Sequence, residues 1–168
     1  AWKKLGYTDA ELVFAGSQSN SLFMRRLVEQ ITGSPLRREQ SPTGSTGSFC
    51  SEGGTNIRLV GWIDQIKLFY DYLSLYIQPS VTEGFGIEVL EAMTHGRAVL
   101  CSTGAGAADV VPETWRFPAA DVDALAEKID QFRKADLALM GKVGRELAKD
   151  YSWDKIRRRY QDVWRDLL

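Results

Sequence analysis

The chain alternates short apolar segments with longer segments that are apolar along one side only. The short segments are residues 11–15, 57–60, 74–78 and 98–101, and each is followed within a few residues by Gly or Pro. Apolar runs of this length, bounded by turn residues, are typical of strands buried in a parallel sheet. The pattern therefore predicts four buried strands.

The longer segments have the apolar spacing of amphipathic helices. They cover residues 22–31, 64–72, 86–95, a stretch from about 121, then 136–149 and 152–168. Because strands and helices alternate, we predict an α/β fold with a doubly wound parallel sheet and helices on both faces. In such sheets ligands bind beyond the carboxyl ends of the strands, so function should lie in the loops there.

One segment interrupts this alternation. Residues 41–54 have the sequence SPTGSTGSFCSEGG, which is rich in Ser, Thr and Gly and has little to bury. Such composition predicts a mobile surface insertion, with a functional acceptor loop as the alternative. The length of 168 residues fits one domain, and a helix at about 152–168 would end it.

Composition and charge limit the kinds of molecule that the protein is expected to bind. The chain is 44% apolar and 26% charged with a formal net charge of −1, so the charge balance does not point to a nucleic acid. No apolar run approaches the roughly 20 residues that a membrane span needs. We expect a cytoplasmic protein. The Arg157, Arg158 and Arg159 cluster is either a solvated helix face or a peripheral contact with a membrane surface or partner.

The loop after the third strand carries the first candidate chemistry. Gly84 and Gly86 flank Phe85 where the strand changes to a helix. Glycine lets the backbone adopt positive φ and lets a ligand approach closely. The N–H groups and the dipole at the start of a helix favour an anion, and a diphosphate fits that site.

Two carboxylates accompany this turn. Glu83 precedes it, and Glu91 lies in the helix, where side chains lean back toward the N-terminus. Together they form an acceptor set for sugar and ribose hydroxyls. The alternative is that Glu83 caps the helix and Glu91 points to solvent. Glu88 stabilises the helix dipole as an acid in the first turn.

His95 and Cys101 are weaker candidates for catalysis. His95 is the single histidine and lies at a predicted helix C-terminus, where the dipole favours its charged form. Cys101 ends the fourth predicted strand, and the sequence offers no base to activate it as a nucleophile. Cys50 and Cys101 have no metal-ligand spacing, so no metal site is predicted.

Residues 69–111 carry a resemblance to a known family. Their sequence is FYDYLSLYIQPSVTEGFGIEVLEAMTHGRAVLCSTGAGAADVV. This segment resembles the signature region of family 4 glycosyltransferases, in which two glutamates, here Glu83 and Glu91, are separated by seven residues. EGFG at the front and LEAM at the back also match, and the likeness extends over nearly the whole chain.

The resemblance implies a GT-B architecture, in which two Rossmann-like domains face a cleft. This chain is similar to the C-terminal, nucleotide-sugar-binding domain of that architecture. The family resemblance also implies retaining transfer from a nucleoside-diphosphate sugar, with no cofactor and no obligatory metal. The leaving diphosphate helps to deprotonate the acceptor on the face from which it leaves.

Site roles follow from the same resemblance. Glu83 would contact the donor sugar near the reacting carbon, and Glu91 would bond the ribose. Ile63 would lie at the base pocket. Four residues would offer backbone N–H groups to phosphate and sugar: Gly84, Phe85, Gly86 and Ile87.

The chain also departs from the family pattern. The resemblance leads us to expect, outside these 168 residues, a first strand with an Arg and a Lys and an N-terminal domain that holds a carbohydrate or lipid-linked acceptor in polysaccharide biosynthesis. Asp109 stands where the family often has Glu. We therefore expect these 168 residues alone to lack transferase activity. A non-catalytic nucleotide-sugar-binding or interaction module remains the alternative.

Overall fold

The computed structural model describes residues 1–16, 22–39, 48–51 and 56–167. The chain divides into two compact units, residues 1–72 and 73–168. The strands form two separate hydrogen-bonded sheets, one in each unit.

The first unit contains a mixed four-stranded sheet. Its elements are α1 (Trp2–Leu5), β1 (Leu12–Ala15), α2 (Leu22–Thr32), β2 (Leu36–Glu39), β3 (Ser48–Ser51), β4 (Ile57–Gly61) and α3 (Ile66–Tyr72). The strand order is β1-β4-β3-β2. β1 and β4 pair in parallel, whereas β3 pairs antiparallel with both β2 and β4.

β4 is central to this unit. Ile57 and Leu59 are buried and form a core with Val28 of α2. Glu11, just before β1, accepts from the Arg58 guanidinium at 2.9 Å and from the Tyr72 hydroxyl at 2.6 Å. This carboxylate therefore links β4 and α3 to the start of β1.

The structure differs from the predicted insertion over residues 41–54. Ser48–Ser51 forms β3, while residues 41–47 and 52–54 lie outside the described residues. Phe49 packs against the core of the first unit, and the Arg25 guanidinium carbon lies 4.5 Å from its ring centroid. Burial of one aromatic side chain thus stabilises a strand in a segment whose composition favours a loop.

The second unit contains a parallel sheet of order β5-β6-β7. Its elements are β5 (Leu75–Gln78), α4 (Ile87–Thr94), β6 (Ala98–Ser102), β7 (Arg116–Phe117), α5 (Val122–Arg133), α6 (Leu137–Ala148) and α7 (Trp153–Leu167). Short 3-10 turns cover Gly106–Asp109, Glu113–Trp115 and Lys149–Tyr151. All five residues of β6 are buried, as the apolar run predicts for a central parallel strand.

Local signals set most helix ends. Asp121 caps α5 by accepting from the N–H groups of Asp123 and Ala124 at 3.0 and 2.9 Å. Gly96, with φ of 68°, follows α4. The helix predicted over residues 64–72 begins instead at Ile66.

Helix α6 approaches the C-terminal end of α4 closely through two glycines. A Cβ on Gly141 of α6 would lie 1.9 Å from the carbonyl oxygen of Gly96, so only glycine fits there. At Gly144, one turn later, a Cβ would lie 3.4 Å or more from its neighbours, Met93 and Trp115. The predicted α/β fold, with parallel strands and covering helices, is confirmed.

The terminal helix α7 has no buried residue. Trp153, Tyr160 and Trp164 are exposed on one side of it. Arg157 pairs with Asp154 at 3.3 Å, and the guanidinium carbon of Arg159 lies 5.9 Å from the ring centroid of Tyr151. Within the described part of the chain, no helix is both long enough and apolar enough to cross a membrane.

Candidate functional site

The predicted site residues of the second unit lie where β5 turns into α4. Gly86 is the N-cap of α4, with φ of 88°, and no side chain caps the helix. Glu83 is exposed, and its Oε1 accepts from the backbone N–H of Gly84 at 3.1 Å. Glu83 therefore does not cap α4, and its carboxylate stays at the surface of the turn.

Backbone donors are concentrated at the same place. Within the described ranges, the N–H groups of Phe85, Gly86 and Ile87 donate to no protein acceptor. The first N–H groups of any helix lack partners inside the helix, and a small anion can accept from several of them at once. The side chains of Phe85 and Ile87 are exposed beside these donors.

A second loop holds this turn in place. The N–H of Glu83 donates to the carbonyl of Gly104 at 3.0 Å. The N–H of Gly106 donates to the carbonyl of Glu83 at 3.2 Å, and that of Ala107 donates to the carbonyl of Phe85 at 2.7 Å. The turn after β5 is thus joined to the loop after β6 by three backbone hydrogen bonds.

The closeness of the two loops depends on glycine. A Cβ on Gly104 would lie 2.2 Å from the carbonyl oxygen of Val81, and one on Gly106 would lie 2.4 Å from that of Gly84. Neither distance leaves room for a side chain. The Gly-rich run after the fourth predicted strand was the sequence signal for this contact, although its role became visible only in the structure.

The glutamates of the turn and helix raise the pKa of one half-buried tyrosine, Tyr76. Glu91 is half-buried on α4, and Glu88 is exposed in its first turn. Burial raises the pKa of Tyr76 well above its ordinary value, and the charges of Glu88, Cys101, Glu91 and Glu83 raise it further, in that order. The three carboxylates therefore all bring negative charge to the region around Tyr76.

Sequence reasoning missed Gln78, the last residue of β5. Its side chain is buried, with 8% of its surface exposed. It accepts from the Tyr76 hydroxyl at 2.6 Å and donates to the Ser80 hydroxyl at 2.9 Å. A polar residue at the end of an otherwise apolar predicted strand, next to a glycine turn, was the signal that could have identified it.

The predicted base-pocket residue lies in the other unit. Ile63 is half-buried in the loop after β4, a strand that ends at Gly61 with φ of 67°. Its neighbour Trp62 is 65% exposed and donates from Nε1 to the carboxylate of Asp64 at 3.0 Å. Ile63 belongs to the first unit, and Glu83 belongs to the second.

The weaker candidates are a buried thiol and the C-cap residue of a helix. Burial raises the pKa of Cys101 to about 11, although Arg116 acts in the opposite direction, so the thiol is protonated at neutral pH. His95 is the C-cap of α4, about 12 Å along the helix from its N-terminus. Among residues 1–16, 22–39, 48–51 and 56–167, no group of three or more His, Cys, Asp or Glu side chains is arranged to hold a metal ion.

The chain is similar to known transferases. It is 34% identical over 103 residues to the O-antigen chain mannosyltransferase B of Escherichia coli, a match that covers 58% of this chain and 27% of that protein. Across the five curated relatives, the chain spans between 16% and 34% of their length.

Solved structures of other proteins superpose on this fold. The sucrose-phosphate synthase of Thermosynechococcus elongatus superposes with a TM-score of 0.60 at 29% identity, over 68% of this chain and 31% of that one. HepE of Anabaena, solved in complex with UDP and glucose, superposes with a TM-score of 0.66 at 15% identity, over 91% of this chain and 39% of that one. These neighbours have the GT-B fold. The family profile described as glycosyl transferases group 1 matches residues 1–134, and the chain therefore belongs to this glycosyltransferase family.

Proposed function

We propose that the chain is the donor-binding part of a retaining, family 4 glycosyltransferase that takes a glycosyl group from a nucleoside-diphosphate sugar. The observation that carries this proposal is the turn between β5 and α4. It combines an uncapped helix N-terminus with an exposed carboxylate, Glu83, at the carboxyl end of a parallel strand.

The diphosphate would lie at the N-terminus of α4. There the N–H groups of Phe85, Gly86 and Ile87 are available as donors, and the helix dipole favours negative charge. Gly84 leaves open space above the turn, since a Cβ at this position would meet no atom within 4 Å. A phosphate group can therefore approach the backbone closely.

The sugar and ribose would be held by the carboxylates. Glu83 would accept from sugar hydroxyls and stabilise positive charge that develops at the anomeric carbon. Glu91, half-buried on α4, would accept from the ribose.

The acceptor would be bound by an N-terminal domain, and it would be a carbohydrate or a lipid-linked sugar. The E. coli relative, an O-antigen chain mannosyltransferase, supports a role in polysaccharide biosynthesis. In retaining transfer the leaving diphosphate would accept the acceptor's proton on the face from which it departs. No metal would be required for that step, so transfer should persist in the presence of EDTA.

A ligand panel tests the proposal. Thermal unfolding of the intact protein is measured in the presence of UDP, GDP or ADP. It is measured separately in the presence of the common sugar conjugates of each nucleotide. A ligand at 100 times its Kd should stabilise the folded protein by about 2.7 kcal/mol. Stabilisation by one nucleotide class together with sugar transfer to an added acceptor supports the transferase. Binding without any transfer favours the non-catalytic module, and no binding to any of them contradicts the proposal.

A further inference from the structure

We propose that Gln78 is a positioning residue for the nucleotide-sugar site, with its buried amide holding the Gly86 turn in its binding geometry. The inference rests on the proposed function, because it assigns a role in ligand binding to a residue that need not touch the ligand. It is carried by the placement of the amide between two hydroxyls and directly beneath the turn.

The amide contacts the turn from below. A Cβ on Gly86 would lie 3.6 Å from Nε2 of Gln78 and 3.5 Å from Cγ of Glu83. The Gln78 amide and the Glu83 side chain therefore pack against the same face of Gly86. A displacement of the amide would therefore also displace Gly86, the N-cap of α4, and the side chain of Glu83 beside it.

The hydrogen bonds of Gln78 have a defined direction. The Tyr76 hydroxyl donates to Oε1, and Nε2 donates to Ser80 Oγ. Burial and the nearby carboxylates raise the pKa of Tyr76, so its hydroxyl keeps the proton that it donates. The amide thus joins a side chain of β5 to the segment that leads into the turn.

A purely structural role would favour a different residue. A buried amide must find partners for its polar atoms, whereas an apolar side chain in a strand needs none. Of the other residues of β5, Leu75 and Ile77 are apolar, and Tyr76 supplies the hydroxyl that bonds Gln78. The polar side chain of Gln78 therefore helps to orient the turn, because hydrogen bonds are directional and apolar contacts are not.

The test compares three variants of the intact protein by calorimetric titration with UDP, GDP and ADP, well below the melting temperature. Gln78→Leu removes the amide and leaves the Tyr76 hydroxyl without its acceptor. The double variant Tyr76→Phe/Gln78→Leu also removes the Tyr76 hydroxyl, so only the half-buried Ser80 hydroxyl loses a partner and part of the stability should return. Asp136→Ala is the matched control, because it removes the N-cap of α6 and lowers stability without touching the turn.

If Gln78 positions the turn, both Gln78 variants weaken nucleotide binding by about tenfold, the effect of losing roughly two neutral hydrogen bonds. The double variant stays weak although part of its stability returns, and Asp136→Ala binds as the wild type does. If affinity in the double variant is that of the wild type, the inference is overturned and Gln78 is structural only. A wild type that binds none of the three nucleotides contradicts the proposed function itself, and the inference then falls with it.

Discussion

The backbone N–H of Gly106 donates a 3.2 Å hydrogen bond to the carbonyl of Glu83, so the proposed catalytic residue is anchored from a loop 23 residues further along the chain. The side chain of Glu83 remains exposed, while its backbone is held by Gly106 and Gly104. The carboxylate can thus face a ligand from a backbone whose position is determined by β6 and its loop.

Replacing Gly106 with Ala should destabilise the protein and distort the turn. The new Cβ would lie 2.4 Å from the carbonyl oxygen of Gly84, and that atom belongs to the backbone and cannot swing away. We expect a loss of about 1–3 kcal/mol in the free energy of unfolding, the usual cost of overpacking. Denaturant titration measures it.

Gly84→Ala is the control from the same turn. A Cβ there meets nothing within 4 Å, so stability should change by no more than about 0.5 kcal/mol. If Gly84→Ala and Gly106→Ala lower the free energy of unfolding equally, steric contact between the two loops does not exclude a side chain at position 106.

Glu83→Gln should lower kcat by about 10²-fold or more, the typical cost of losing one preorganised electrostatic group. Nucleotide affinity should change little, because the help is larger in the transition state than in the ground state. Gln can still accept from the Gly84 N–H, so we expect the melting temperature to stay near that of the wild type. A stable variant with normal kcat would remove Glu83 from catalysis.

Glu91→Ala should weaken binding of the nucleoside diphosphate by about 1–3 kcal/mol, the range for losing a hydrogen bond to a charged group. The side chain is half-buried on α4, so the melting temperature is recorded alongside the titration. Exposed Glu88, one turn earlier, offers a comparison: Glu88→Ala should leave affinity unchanged. Similar losses from both substitutions would mean that overall negative charge, rather than a specific bond, is involved.

Two glycines of α6 should respond oppositely to the same substitution. Gly141→Ala places a Cβ 1.9 Å from the carbonyl oxygen of Gly96 and should destabilise the packing of α6 on α4. Gly144→Ala has ordinary contact distances and gains helix propensity of roughly 0.5–1 kcal/mol. Chemical denaturation of both variants checks the difference, and a stable Gly141→Ala protein would contradict the close approach of the two helices.

Cys101 should resist alkylation in the folded protein. Its thiol is buried, and its pKa of about 11 keeps it protonated at pH 7.5. Because the thiolate is the reactive form, labelling by iodoacetamide should become faster as the pH rises toward 11. Peptide mass spectrometry follows the rate, and rapid labelling of native protein at pH 7.5 would contradict the burial.

The local features of this protein could be predicted from its sequence. The apolar run of β6, the glycine after α4 and the Asp121 cap of α5 depend on residues within a few positions of one another. The same holds for the EGFG turn, since its glycines and the following apolar spacing predict a strand that changes into a helix. The sequence also identified Glu83 and Glu91 together as candidate site residues. Their roles remain predictions.

The tertiary structure decided what depends on distant contacts. β3 forms in a Ser- and Gly-rich segment because Phe49 packs against Val28, Ile57 and Leu59. Local composition does not reveal the stabilisation that comes from this packing. The Glu83 turn is held by a loop more than 20 residues away, and Gln78 matters because of what lies on either side of it in space. Periodicity and turn chemistry act over one or two turns of chain, whereas sheet pairing and loop contacts are chosen by packing across the whole fold.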